Sequence, residues 1–368
     1  MTMNHSERFR AFFSGQPVDR LPLYFFGSWR ETKARWKAEG LDVTTLEGDA
    51  GPQVPGMDPD WEDGMWDCHG LAHIGPIGTV KPEVLEEDEE TILYRNAIGD
   101  VVRDNKTGST IAHTVEYGLK PTRESWELFK TYFETGPHRH PAGWEQRAQE
   151  LKASGRMLAF MGGSLYGWLR NWMGVEHISL LMYDDPELFE EMVAFLTEHF
   201  LRELAPVLRV VKFDLVYFFE DCCGATGPLF SPALYREVLD KYYKRLLGFY
   251  KENGVAFSLI DSDGKVDRLI PSWLGSGFDI LFPVEVGTWG ATPMNLRQQF
   301  GPGLKMLGGV DKHVIPKGEA AIREHLLALK PAVDQGGYLP IPDHRIPLEC
   351  SLEDFRTYLR VYQEVFRI

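Results

Sequence analysis

The chain has 368 residues, 43% hydrophobic and 25% charged, which is ample material for a folded core. Its 39 basic residues against 54 acidic ones leave a net charge of −15, so nucleic acid and anionic membrane surfaces are excluded as principal partners. No apolar run reaches the roughly 18 residues that a membrane span needs.

The opening stretch MTMNHSERFRAFFSGQPVDR lacks the apolar core of a signal peptide. The four cysteines, Cys68, Cys222, Cys223 and Cys350, form no disulfide framework, because adjacent Cys222 and Cys223 do not easily bridge each other. The expected compartment is therefore the reducing cytoplasm.

In chain order, LPLYFF (21–26) reads as a strand and WRETKARWKAEG as the helix after it. Residues 40–155 are richer in Pro, Gly and acids and read as an insertion of loops and hairpins within a single domain spanning 1–368. VVRDNKTGSTIAHTVEY has turn chemistry between alternating segments and predicts one such hairpin. From MLAFMGG onward the pattern is regular. Asp185 caps a helix opened by Pro186, FDLVYFFED is a strand, and Ser231 caps a helix opened by Pro232. VAFSLIDSDG and FDILFPVEV are strands flanking VDRLIPSWLGSG, a helix in which Pro271 predicts a kink. A Thr292-capped helix, the strand LKMLGGVD, a helix from about Gly318 and the strand GYLPIPDH follow. Ser351 and Asp354 make a capping box for a last helix over 351–367, expected to pack near the N-terminal segment.

Strands joined by helical crossovers imply a parallel sheet. A closed (β/α)8 TIM barrel fits best, since no dinucleotide or phosphate-loop fingerprint occurs; an open doubly wound sheet is the alternative. In a barrel the C-terminal strand ends surround the active site. Those ends carry Ser28 and Arg30, Ser164 and Tyr166, Glu220 and Asp221, then Asp261, Ser262 and Asp263, Glu285, Asp311, and finally Asp343 and His344. One polar end is usually a helix cap, but a repeated pattern points to a site.

Bland readings stand beside these. Asp311 fits a turn cap, and Asp343 fits a local ion pair with His344 or Arg345. Cys222 and Cys223 fit packing thiols, and Trp29, Trp168 and Trp172 fit core filling. Cys68-His69 lies in the insertion without a second pair at zinc-finger spacing, so no metal role is expected for it. Gly308-Gly309 implies a close backbone approach to a ligand or neighbouring strand.

Several segments resemble the uroporphyrinogen decarboxylase superfamily: RFRAFFSGQPVDRLPLYF, GPLFSPALYREVLDKYYKRL, SLIDSDGKVDRLIPSWLGSGFDILFPVE, LKMLGGVDKHVI and GGYLPIPDHRIP. The resemblance implies a (β/α)8 barrel. It also implies one of two activities, porphyrinogen decarboxylation or methyl exchange with a corrinoid protein. FFGSWR keeps Arg30 of the decarboxylase's carboxylate-gripping segment but lacks its second arginine. A mouth lined by acids also has the wrong sign for a substrate with eight carboxylates.

The thiol-methylating branch binds zinc through His-x-Cys and a later cysteine. Here Asp261 and Asp263 take the first two positions and His344 stands at or beside the third. The resemblance thus implies a divalent metal, zinc, on Asp261, Asp263 and His344. The expected function is a methyltransferase moving a methyl group between a small O-methyl or similar substrate and a corrinoid carried by a partner protein. Glu220, Asp221, Asp263 and His344 are its candidate catalytic residues, and Arg30, Tyr166, Ser262 and Glu285 its candidate substrate-binding residues. Glu220 in particular is expected to face the mouth as a general acid. A homodimer is a further candidate assembly. The alternative is a metal-independent decarboxylase of a polycarboxylate such as a porphyrinogen, with Arg30 gripping a carboxylate and His344 or Asp263 moving the proton. A non-catalytic binding barrel is a third reading.

Overall fold

In the computed structural model, residues 2–43, 54–59, 61–106 and 112–366 are described. Four strands, β1 (Glu83–Glu87), β2 (Thr91–Arg95), β3 (Val101–Asn105) and β4 (His113–Glu116), form an antiparallel sheet in the insertion. β3 and β4 are the two arms of the expected hairpin, whose turn at 107–111 lies outside the described residues. The insertion also contains helices Trp61–Cys68, Arg123–Lys130 and Trp144–Ala153, which its loop-like composition conceals.

The rest is built on β5 (Ala159–Met161), β6 (Leu215–Phe219), β9 (Phe257–Asp261), β10 (Ile280–Val284), β11 (Lys305–Val310) and β12 (Tyr338–Pro342). A two-residue hairpin, β7 (Cys223–Gly224) and β8 (Gly227–Pro228), follows β6. The six long strands are all parallel, in the order β12-β11-β10-β9-β6-β5. Because side chains alternate along a strand, each splits its residues between two cores. Phe218 and Ile260 join the outer core under the helices.

Ala159, Leu215, Tyr217, Leu259, Ile280, Phe282, Leu307, Leu339 and Ile341 instead meet in one inner cluster with Tyr24 and Phe26. Side chains from opposite ends of an open sheet do not meet this way, so the sheet is curled into a barrel. Phe9, Phe12 and Phe13 of helix His5–Phe13 plug its lower end. Ser6 and Arg10 hold that helix to Asp214, the residue just before β6.

The ring is completed without regular strands. Residues 21–26 run through the strand position, but only Ser28 forms a bridge, to Ile346, with Ile346 N–H donating to the Gly27 carbonyl at 3.0 Å. A ladder requires a strand alongside, and this segment has a turn on one side and residues 54–59 on the other. There the Asp58 N–H donates to the Leu23 carbonyl at 3.0 Å. Helix Trp61–Cys68 then stands beside β5, so close that a Cβ on Gly64 would lie 2.6 Å from the Met157 carbonyl.

The expected caps at Asp185, Ser231 and Thr292 are in place. Pro271 opens helix Ile270–Ser276 rather than kinking it, because the chain before it turns instead of being helical. The last helix, Leu352–Phe366, packs Phe355 on Phe25 and Trp36 and so ties the chain ends together. Among the described residues no helix is long and apolar enough to cross a membrane.

Candidate active site

A cavity of about 370 Å³ opens at the C-terminal end of the barrel, lined by Phe26, Tyr217, Phe219, Asp261 and Arg345 with Glu62, Met65 and His69 of the helical segment beside β5. Its centre is a buried acid. Asp261 ends β9 with its side chain inward and is 4% exposed; the Tyr217 hydroxyl, from the adjacent strand, donates to Asp261 Oδ2. Burial pushes the Asp261 carboxyl well above the usual carboxylate range, and Asp263, Asp221 and Glu62 push it further, against the Tyr217 hydrogen bond. Burial likewise raises the Tyr217 phenol, so the hydroxyl keeps its proton.

Around this pair, Arg345 stacks its guanidinium over Phe26 and Trp29, with its central carbon 5.2 and 5.8 Å from the ring centres. His344 lies edge-on to Phe26, and its Nε2 is 3.5 Å from Asp263 Oδ2. Glu285 Oε2 accepts the Gly264 N–H at 2.6 Å, and burial, helped by Asp263, raises its carboxyl.

Other sequence candidates lie elsewhere. Glu220 does not face the mouth. Strand parity sends it outward with Phe218, and its carboxylate accepts the backbone N–H groups of Leu165, Tyr166 and Gly167 at 3.0–3.1 Å. It caps helix Gly167–Met173. Burial raises its carboxyl while these bonds lower it. Asp221 has a left-handed backbone (φ 39°) and pairs with Arg170 at 2.6 Å.

Ser262 turns its hydroxyl to the Cys222 N–H at 2.9 Å, and Tyr166 is buried against Phe230. Arg30 is exposed at the start of its helix and does not line the cavity. Asp343 accepts the N–H groups of Val286 and Lys312, and Asp311 caps its turn through the His313 N–H. Tyr217, Glu62, His69 and Arg345 line the cavity although none is a strand-end candidate of the sequence. Of these only Tyr217 carries a signal in the sequence, since it shares the inward parity of strand residues 215 and 219.

The expected zinc triad does not assemble. Asp261 is engaged by Tyr217, leaving the Asp263–His344 pair. Among the described residues no group of three or more His, Cys, Asp or Glu side chains is placed to hold a metal ion. Two donors fall short of the three or four that zinc takes, so the residues as arranged do not fit the metal.

The architecture defines a class: an α/β barrel with its pocket at the C-terminal strand ends, where barrel enzymes carry their chemistry. Residues 148–365, more than half of the chain, match the family described as Uroporphyrinogen decarboxylase (URO-D), and the chain belongs to that family of enzymes. Its fold is similar to that of a methyltransferase from Methanosarcina mazei, at 13% identity and a TM-score of 0.56, over 98% of this chain and 99% of the other. A B12-independent methionine synthase from Shewanella sp. W3-18-1 in complex with selenomethionine aligns over 78% of this chain and 74% of its own, at 11% identity. Its TM-score of 0.38 is too low to bear on the fold. No curated protein is similar enough to count as a match.

Proposed function

We propose that the protein is a methyltransferase that takes a methyl group from a small O-methyl donor in the cavity and passes it to a corrinoid carried by a partner protein. The observation that carries this reading is the buried Asp261–Tyr217 pair facing an otherwise largely apolar cavity. When the methyl–oxygen bond breaks, its electron pair stays on the departing oxygen, which must be neutralised. An acid whose proton affinity is raised by burial keeps its proton to higher pH than an ordinary carboxyl and can donate it to that oxygen. Asp261 is then the general acid, and Tyr217 orients its carboxyl. A corrinoid, when its carrier docks, supplies the nucleophile for the methyl group. Family membership and the methyltransferase-like fold support the same reading.

Decarboxylation of a porphyrinogen is less well supported. An apolar cavity of roughly 150 Å³ holds one benzene, so about 370 Å³ has no room for four pyrroles with eight carboxylates. The test is methyl transfer from methoxybenzene to reduced cobalamin. Asp261→Asn is expected to slow it about 100-fold or more with donor affinity little changed. A variant as fast as the parent would defeat the proposal.

A further inference from the structure

The cavity does not end inside the barrel. It passes through the barrel wall into a side chamber lined by Leu71, Ile74, Phe160, Leu204, Val207 and Phe213, all of which belong to the outer core. The opening has a physical cause. Neighbouring strands lie about 4.8 Å apart, whereas a helix with its side chains is about 10 Å wide. Beside β5 the next wall element is helix Trp61–Cys68, which meets the strand at Gly64 by packing and not through a strand-to-strand hydrogen-bond ladder.

The chamber is built to be dry. Two backbone carbonyls of its lining residues already accept side-chain bonds: Leu71 O from His140 Nδ1 at 2.9 Å, and Ile74 O from His199 Nε2 at 3.1 Å. A trapped water needs two to four polar partners, and the chamber side chains provide none. Met65, Met161 and Phe219, which pack against the inner cluster, line the same cavity as Asp261, and Phe219 on β6 is the register partner of Asp261. Thioethers and ring edges favour an aromatic occupant over an aliphatic one.

We infer that the side chamber binds the apolar body of the substrate, a single aryl ring, and holds the ring's oxygen substituent at Tyr217 and Asp261. The inference rests on the methyl-transfer reading for the reacting end, but the chamber's preference for a ring stands or falls separately. The site is thus divided between a polar reaction end on β6 and β9 and a specificity end in the barrel wall.

Binding to the full chain, measured by calorimetry or ligand-observed NMR without any methyl acceptor, tests it. The probes are methoxybenzene, dimethyl ether and 2-methoxynaphthalene. The parent is expected to bind methoxybenzene at least tenfold more tightly than dimethyl ether. Ala72→Leu adds bulk at a residue that lines the cavity next to Leu71 and packs on the outer core, and should weaken methoxybenzene tenfold or more and leave dimethyl ether unchanged. Leu204→Ala should instead improve 2-methoxynaphthalene relative to methoxybenzene, and it serves if Ala72→Leu fails to fold. Equal affinity of the parent for methoxybenzene and dimethyl ether overturns the inference even if methyl transfer is observed. Tight methoxybenzene binding lost in Ala72→Leu upholds it even if no methyl group moves, in which case the methyltransferase reading alone fails.

Discussion

Tyr217 and Asp261 stand on adjacent parallel strands, β6 and β9, and the phenol donates to the carboxyl inside the barrel. Burial first, and then the neighbouring acids Asp263, Asp221 and Glu62, turn an acid with an ordinary value of 3.8 into one that resists ionisation, against the Tyr217 hydrogen bond. Raised proton affinity in the folded state has a defined sign. Its stabilising contribution is complete below 3.8, where folded and unfolded chains are both protonated, and is lost as pH rises toward the folded value. Asp261→Asn is therefore expected to gain in melting temperature relative to the parent as pH rises from 4 to 8. Turnover of the parent should fall at alkaline pH as Asp261 loses its proton, while the residual rate of the variant should be flat. Parallel stability–pH curves for the two proteins would show that Asp261 titrates normally.

Glu220 and Asp221 separate structure from catalysis in consecutive residues. Glu220→Gln replaces a buried carboxylate that accepts three backbone N–H groups, and is expected to cost about 1–3 kcal/mol in chemical denaturation. Its turnover should stay within a few-fold of the parent. Asp221→Asn keeps a residue type that tolerates the left-handed backbone and loses only a partly exposed ion pair, so a change under about 1 kcal/mol is expected. A hundredfold loss of turnover in Glu220→Gln, with stability intact, would restore it as the acid.

Gly308 is required by its backbone. Its φ is 113°, and a Cβ there would sit 2.5 Å from the Val284 nitrogen on the neighbouring strand. Gly308→Ala is expected to destabilise by more than about 2 kcal/mol through strain and displacement of β10. Soluble protein with an unchanged denaturation midpoint would contradict the close approach between β10 and β11.

Zinc gives a direct check on the donor set. With Asp261 committed to Tyr217, added zinc should not raise the melting temperature in a saturable way. A one-to-one rise abolished by both Asp263→Ala and His344→Ala would show that Asp261 swings away from Tyr217 to complete a metal site.

Much of the fold was legible because it rests on local signals. The alternation of apolar strands with capped helices, the caps at Asp185, Ser231 and Thr292, and the doubled glycine at 308–309 each act within a few residues of where they appear. The clustering of Asp261, Asp263, Glu285 and His344 at one end follows from strand direction alone, since parallel strands end at similar heights. Glu220 was misplaced because its fate turns on a one-residue parity and on three N–H groups more than fifty positions earlier.

What the sequence by itself determined is therefore the parallel strand–helix order, the acidic character of the strand ends and the net negative charge, all properties of composition and short-range pattern. Only the tertiary structure decided which acid is buried, that Tyr217 binds it, that Arg345 lies over Phe26, and that a helix takes a strand's place beside β5. Those outcomes depend on which distant segments become neighbours when the sheet curls. Burial and pairing, which set proton affinity and open the side chamber, exist only once those neighbours have met.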